Sequence, residues 1–448
     1  MRTPGGRLAV LSRKPAGQLA ISGGRTIDCG SFLADATAWA ERLPDRPYAI
    51  NLCVDRYLFL VGFIAVVLRG QCNLLLPGRQ PGTIHEALRS FPDAWLLHDG
   101  AVELPDAIAL GISHGSASAA HVGAIPDVPG AQTAAIVFTS GSTGAPQPMR
   151  KSWHTLVEGA RVNAGYVSGD AAGGGGLVAT VPPWHMYGLE WSVLFPLVAD
   201  WTIYCDEAFF PADIRVALGK LPGPRVLVST PLHLRAIVKS RLRFPRVDTV
   251  LCATAPLDSG LARDVEQLLS THVLEIYGCS EAGSLAYRWP VRDAAWRFFR
   301  EIDAEMSGGR VRVCAAHLAE TVQLADTLEF QTDGRFSLRG RDGDMVKIGG
   351  RRASLSELNN RLLALEGVDD GIVFYPPSFG LEDSGRLSAL VVSVSRSAED
   401  IRQELATVVD NVFMPRPIRL VDGLPRSDAG KLRREDLLKL LHVERGRA

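Results

Sequence analysis

The stretch Ala134-Ala-Ile-Val-Phe-Thr-Ser-Gly-Ser-Thr-Gly-Ala-Pro146 decides how the rest of the chain is read. An apolar run suited to a buried strand leads into Thr139, Ser140, Gly141, Ser142, Thr143 and Gly144, all small hydroxyl residues or glycines. Such a loop offers many backbone N–H groups and several hydroxyls, with little side-chain bulk to keep phosphate oxygens away. It is not the G-x-x-x-x-G-K-[ST] loop of the NTPases, a pattern found nowhere in the chain. Standing alone, S-G-S-T-G reads equally as a Ser/Gly linker. The strand in front of it favours a phosphate-binding loop.

Outward from this segment, short runs rich in Val, Ile and Leu recur at Ala134–Phe138, Leu177–Val181, Arg225–Val228, Thr249–Ala253 and His272–Ile276. Helix-like stretches lie between several of them, such as Leu257–Ser270 with its apolar residues at helical spacing. Fully apolar short strands alternating with amphipathic helices predict an α/β fold with a mostly parallel sheet covered on both faces. Gly173–Gly176 is expected to be a loop between elements.

After about residue 320 the pattern changes. Thr327–Phe330, Arg335–Arg339 and Met345–Ile348 read as short alternating strands, punctuated by Asp-Gly at 333–334 and 342–343. A helix is expected over Ser354–Leu365, where Ser354 and Glu357 have capping-box spacing. Strands near Gly371–Tyr375 and Leu387–Val394 and helices over Ala398–Val409 and Glu435–His442 complete the reading. The chain therefore divides into a large α/β N-terminal domain, residues 1–341, and a small α+β domain, residues 342–448.

Composition narrows the function classes. At 448 residues the chain is too long for one ordinary domain. Its 48 Lys+Arg against 49 Asp+Glu exclude a strongly basic nucleic-acid binder and an acidic tail. Seven cysteines, odd in number and never spaced C-x-x-C, point to free thiols in a reducing cytoplasm rather than to a zinc site or disulfide scaffold. The apolar run Tyr57–Leu68 is too short for a membrane span, which needs about 20 residues. The first residues carry no long apolar core, so a secretory leader is not expected.

With its strand, Thr139-Ser-Gly-Ser-Thr-Gly-Ala-Pro146 resembles the phosphate-binding signature of the acyl-adenylate-forming superfamily, which includes acyl- and aryl-CoA ligases, luciferases and nonribosomal-peptide adenylation domains. Four more segments resemble that family's motifs in the right order. These are Pro183-Trp-His-Met-Tyr-Gly188, Tyr277-Gly-Cys-Ser-Glu281, Gly340-Arg-Asp-Gly-Asp-Met-Val-Lys-Ile-Gly-Gly350 and Pro425-Arg-Ser-Asp-Ala-Gly-Lys431. Any one of them is a weak signal, but five in order form a specific one.

The resemblance implies an acid–thiol ligase. ATP would activate a carboxylic acid to acyl-AMP, and a thiol of coenzyme A or of a carrier protein's phosphopantetheine arm would then displace AMP. It implies that Thr139, Ser140, Gly141, Ser142, Thr143 and Gly144 hold the phosphates, that Glu281 holds Mg²⁺ and that Lys431 brings positive charge to the reacting anions. It also implies that Tyr277 lines the adenine with Ser280 in place of the usual Thr, and that Trp184, His185 and Tyr187 border the acid, with His185 a catalytic candidate beside Glu281 and Lys431. Asp342 would be the hinge of a mobile lid, with Lys347 and Gly349 along the thiol's path. The family's ribose-binding T-G-D is absent as such. Leu324-Ala-Asp326, seven residues before Asp333, stands at its place, which assigns Asp326 to the ribose with Arg341 in support.

In this chain the usual Lys-Gly after the loop proline is Gln147-Pro148, and Arg150 or Lys151 is the candidate substitute cation. Only about 130 residues precede the loop, which implies a compact front end. The cluster Trp184, His185, Tyr187 and Trp191 fits a flat aromatic acid such as a hydroxybenzoate, and equally the cap of a medium-chain acyl or fatty-acid pocket. Two other classes compete. A serine hydrolase lacks its G-x-S-x-G elbow here, since Gly278-Cys-Ser-Glu-Ala282 has no second glycine. A non-catalytic nucleotide-binding regulator of the same fold has Gln147 as its hint.

Overall fold

A computed structural model describes residues 6–100, 107–115, 124–139, 147–167, 174–341, 345–348, 351–376, 386–426, 432 and 434–442. For Thr139, Gln147, Arg341, Met345, Lys347, Arg352, Ser356 and His442 it describes the backbone alone.

Two sheets organise the chain up to Arg341. In the first, six described strands run in the order Gln147–Ser152, Thr133–Thr139, Cys72–Leu75, Tyr48–Asn51, Ala94–His98, Ala109–Gly111. All neighbours are parallel except Gln147–Ser152, which folds back antiparallel on Thr133–Thr139. The second has nine described strands, with Gly175–Ala179 near the centre between Arg225–Ser229 and Trp201–Tyr204. Its interior is parallel, and antiparallel strands close both edges. The expected parallel architecture is present, built as two sheets rather than one.

The apolar run at Tyr57 forms the helix Arg56–Leu68, with every residue from Tyr57 to Val67 buried. A helix apolar on all sides belongs in a core, and this one packs into the main cluster with Trp95, Trp153 and Trp191. No helix among the described residues is long and apolar enough to cross a membrane.

One local expectation fails. Gly175 and Gly176 are not a loop but open the buried strand Gly175–Ala179. A Cβ on Gly175 would come within 2.2 Å of the Pro224 carbonyl oxygen, and one on Gly176 within 2.4 Å of Leu221 Cβ. The glycines answer a close approach of neighbouring chain that local composition does not display.

Beyond Arg341 a hairpin pairs Met345–Ile348 with Arg351–Ser354, and a three-stranded sheet joins Asp370–Phe374, Ser388–Val392 and Ile418–Leu420. The expected helix appears as Leu355–Leu363, capped by Ser354, whose hydroxyl accepts from the Glu357 N–H. Val346, Leu358, Leu362, Val373, Val391, Ile401 and Leu405 pack with one another in a cluster that includes no residue before Val346.

Candidate active site

The strand Thr133–Thr139 ends where the Ser/Gly-rich loop begins, at the carboxyl edge of its sheet, where open α/β sheets bind their ligands. Ser140, Gly141, Ser142, Thr143 and Gly144 lie outside the described residues, as do Asp342, Gly349 and Lys431. The backbones of Thr139, Arg341 and Lys347 lie in the strands Thr133–Thr139, Phe336–Arg341 and Met345–Ile348.

From this edge the chain returns along Gln147–Ser152, and its Lys151 is 2 % exposed. The ammonium of Lys151 donates to the main-chain oxygen of Glu281. Burial holds the Lys151 pKa below its usual value, while the charges of Glu190, Cys279 and Glu281 oppose that shift. Of the two cations that sequence offered for the missing lysine, Lys151 is the one joined to this turn.

Glu281 follows the long strand His272–Cys279, in the turn that leads to Gly283–Arg288. Tyr277, 8 % exposed, donates its hydroxyl to Asp326 Oδ2 at 2.8 Å. Its ring is set edge-on between Trp296, at 5.8 Å, and Phe336, at 6.3 Å. Asp326 opens the strand Asp326–Phe330 and is paired in register with Arg341 across the hairpin. The Tyr277 and Asp326 motifs, 49 residues apart, therefore meet at one place. Burial and the neighbouring Glu281 push the Cys279 thiol up to about 12, so it carries no thiolate nucleophile near neutrality.

The Pro183–Gly188 segment supplies a second wall. Trp184 lies 6.3 Å from Phe59 and 6.1 Å from His185, and the Arg79 guanidinium sits 3.4 Å over the Trp184 ring. Arg79 is fixed by bonds to the carbonyls of Leu52, at 3.0 Å, and Cys53, at 2.7 Å. Burial raises the Tyr187 hydroxyl well above its usual pKa, leaving it neutral.

Sequence reading missed Glu190. It stands in the π-helical stretch Leu189–Leu194, 6 % exposed, and accepts from Ser284 N at 3.2 Å and Ser284 Oγ at 2.8 Å. Burial pushes its carboxyl up to about 7, against the pull of the Ser284 hydrogen bonds and of Lys151. The signal was available, since a lone carboxylate in the apolar run Gly188-Leu-Glu-Trp-Ser-Val-Leu194 asks for a partner.

In the C-terminal segment, Arg426 grips Asp370 through two bonds, at 2.6 and 2.7 Å. It also forms a β-bridge with Leu432. Lys239, from the helix Pro231–Ser240, forms an ion pair with Asp369 and ties this segment to the larger part of the chain.

Among the described residues no group of three or more His, Cys, Asp or Glu forms a metal cage. Mg²⁺ commonly needs only one or two carboxylates beside substrate phosphates. Glu281, on a turn whose backbone is held by Lys151, fits that requirement.

Comparison with known proteins converges on the same chemistry. The profile of the family described as AMP-binding enzyme matches residues 84–322. A 4-coumarate--CoA ligase of Halorhodospira halophila is 30 % identical over 309 residues, covering 67 % of this chain and 75 % of that enzyme. A 3-hydroxybenzoate--CoA ligase of Aromatoleum sp. (strain CIB) is 30 % identical over 128 residues, 27 % of this chain and 24 % of that one. The fold matches O-succinylbenzoate coenzyme A synthetase of Bacillus subtilis, solved with ATP and magnesium ion, at a TM-score of 0.81 and 16 % identity over 95 % of this chain and 97 % of that one. With a family profile spanning more than half its length and a ligase aligned over three-quarters of that enzyme, the chain belongs to the AMP-binding enzymes.

Proposed function

We propose that the protein is an AMP-forming acid–thiol ligase that activates a carboxylic acid with ATP and transfers the acyl group to a thiol. The observation that carries this reading is the meeting of segments far apart in sequence around the Tyr277–Glu281 strand and turn. Lys151, just after the phosphate loop, reaches the Glu281 turn, and Tyr277, from the same strand–turn unit, reaches Asp326.

In the first step a carboxylate oxygen attacks the α-phosphorus of ATP, the bond to the β-phosphate oxygen breaks, and acyl-AMP and pyrophosphate result. Both reactants are anions, so fixed positive charge and N–H dipoles must sit where they meet. Ser140, Ser142, Thr143 and the loop backbone hold the phosphates, and Lys431 is delivered by the C-terminal domain. Asp326 accepts from the ribose hydroxyls with Tyr277 and Arg341 behind it, and Ser280 and Tyr277 border the base. Bound through Glu281, Mg²⁺ supplies charge neutralisation to the phosphates. In the second step a thiol attacks the acyl carbonyl and AMP leaves, with no acyl-enzyme in between.

Residues 342–448 serve as a lid turning at Asp342, a division supported by the separate apolar cluster beyond Val346. Lys347 and Gly349 then line the thiol's path. The acid is aromatic, of hydroxybenzoate or hydroxycinnamate type. Trp184, His185 and Tyr187 give flat walls, and aromatic acids are named in both ligase relatives. The acceptor is coenzyme A or a carrier-protein arm, and the reaction runs in the cytoplasm, where seven unpaired cysteines are stable.

The test is pyrophosphate release over a panel of benzoates, cinnamates and fatty acids, followed by thioester formation with coenzyme A and with a phosphopantetheinylated carrier protein. Release with benzoates or cinnamates at least tenfold above octanoate is expected. Preference for the fatty acids would replace the aromatic assignment, and release with none of them would favour a regulator.

A further inference from the structure

Lys151 follows the phosphate-loop motif and Glu190 follows the Pro183–Gly188 motif, yet both end on the hairpin between Cys279 and Ser284. The Lys151 ammonium holds the main-chain oxygen of Glu281. Three residues on, the Glu190 carboxylate accepts from Ser284 through both its N–H and its hydroxyl, and Trp191 Nε1 donates to that hydroxyl at 3.2 Å. Between the two grips stands Gly283 at φ +81°, where a Cβ would come within 2.2 Å of Glu190 Oε1. The turn itself is Gly278-Cys-Ser-Glu-Ala-Gly283, with a glycine at each end and a register break at Tyr277/Gly278. The hairpin ladder pairs Gly278 with Ser284 and Cys279 with Gly283, and the grips on Glu281 and Ser284 add restraint from outside the turn. Two nearly buried side chains, an ammonium and a carboxyl, make those grips.

We propose that Lys151 and Glu190 are positioning residues that clamp this turn from both sides and so aim the Glu281 carboxylate at the Mg²⁺–ATP phosphates. This rests on the ligase reading above. It gives the cation missing at Gln147 a place four residues along the same strand, with its ammonium on the Glu281 turn. It also links the acid-binding segment, which carries Glu190, to the nucleotide side through one shared turn.

The experiment measures ATP affinity calorimetrically on the full chain, with and without Mg²⁺, for Lys151→Met, Glu190→Gln, Ser284→Ala and Glu281→Gln. In the parent, Mg²⁺ should tighten ATP binding. Lys151→Met and Glu190→Gln should each cut that Mg²⁺-dependent gain fivefold or more, with Mg²⁺-free ATP affinity within about twofold of the parent. Ser284→Ala, a milder change that keeps both charges, should cut it about threefold and keeps the test open where the charge variants misfold. Adding Lys151→Met to Glu281→Gln should cause no further loss, because the clamp acts through Glu281. An unchanged Mg²⁺-dependent gain in soluble variants overturns the proposal. So does equal weakening with and without Mg²⁺, which marks a general structural role. A parent whose ATP binding ignores Mg²⁺ overturns the ligase reading along with it, whereas a responsive parent with unmoved variants overturns the clamp alone.

Discussion

Tyr277→Phe is the cleanest perturbation the structure offers. The substitution deletes one hydroxyl and keeps the ring, which Trp296 and Phe336 hold edge-on from two sides. What is lost is the 2.8 Å bond to Asp326 Oδ2, made by a side chain only 8 % exposed. A hydrogen bond to a charged group contributes about 1.5–3 kcal/mol. At about 1.4 kcal/mol per decade, the full effect would weaken ATP binding roughly tenfold to a hundredfold. Because the bond joins two parts of the protein, part of its loss falls on folding, and only the loss of a pre-aimed carboxylate reaches the nucleotide. The lower end, about a tenfold rise in KM for ATP, is therefore expected. Acid-dependent pyrophosphate exchange separates the two substrates, and KM for the acid should stay within about twofold. Asp326→Ala removes the acceptor itself and should exceed Tyr277→Phe in the same direction. If both variants keep the parent's KM for ATP, Asp326 does not hold the ribose and the reasoning from this contact fails.

Lys431→Ala should reduce acid-dependent pyrophosphate exchange by about 10²–10³, the usual loss for one preorganised charge-stabilising donor, yet convert synthetic acyl-AMP and thiol to thioester at a near-parent rate. Equal loss in both steps would assign Lys431 to structure instead. Asp342→Pro, by fixing φ near its proline value, should spare exchange and abolish thioester formation, and a variant unaffected in both steps would argue against a hinge there. Burial pulls His233 down to about 4, with Nδ1 3.0 Å from Thr230 Oγ1, so the folded protein keeps it neutral where the unfolded chain binds a proton. Stability present above pH 6.5 should then fall as pH drops towards 4, by up to about 1.4 kcal/mol per unit. His233→Gln should flatten the fall in Tm between pH 7 and 5, and an identical slope in both proteins would remove His233 as its cause.

The sequence by itself determined the kind of many elements from Ala134 onward. Apolar runs such as Thr249–Cys252, the capped helix Leu355–Leu363 and the Asp333-Gly334 hairpin are set by neighbours a few residues away, and all appear where local pattern puts them. The order of the five motifs, and with it the family, was likewise legible, because each motif is a short contiguous string. The tertiary structure alone decided what those strings do to one another. It chose Lys151 over Arg150 as the cation tied to the Glu281 turn, 130 residues away, and gave Glu190 a partner 94 residues on. It also joined Tyr277 to Asp326, and it turned Gly175 and Gly176 from an expected loop into the start of a central strand. The physical reason is common to all of these. A buried charge or a missing Cβ is explained by what packs against it, and in a sheet whose neighbouring strands lie far apart in sequence, that neighbour is set by topology rather than by the chain on either side.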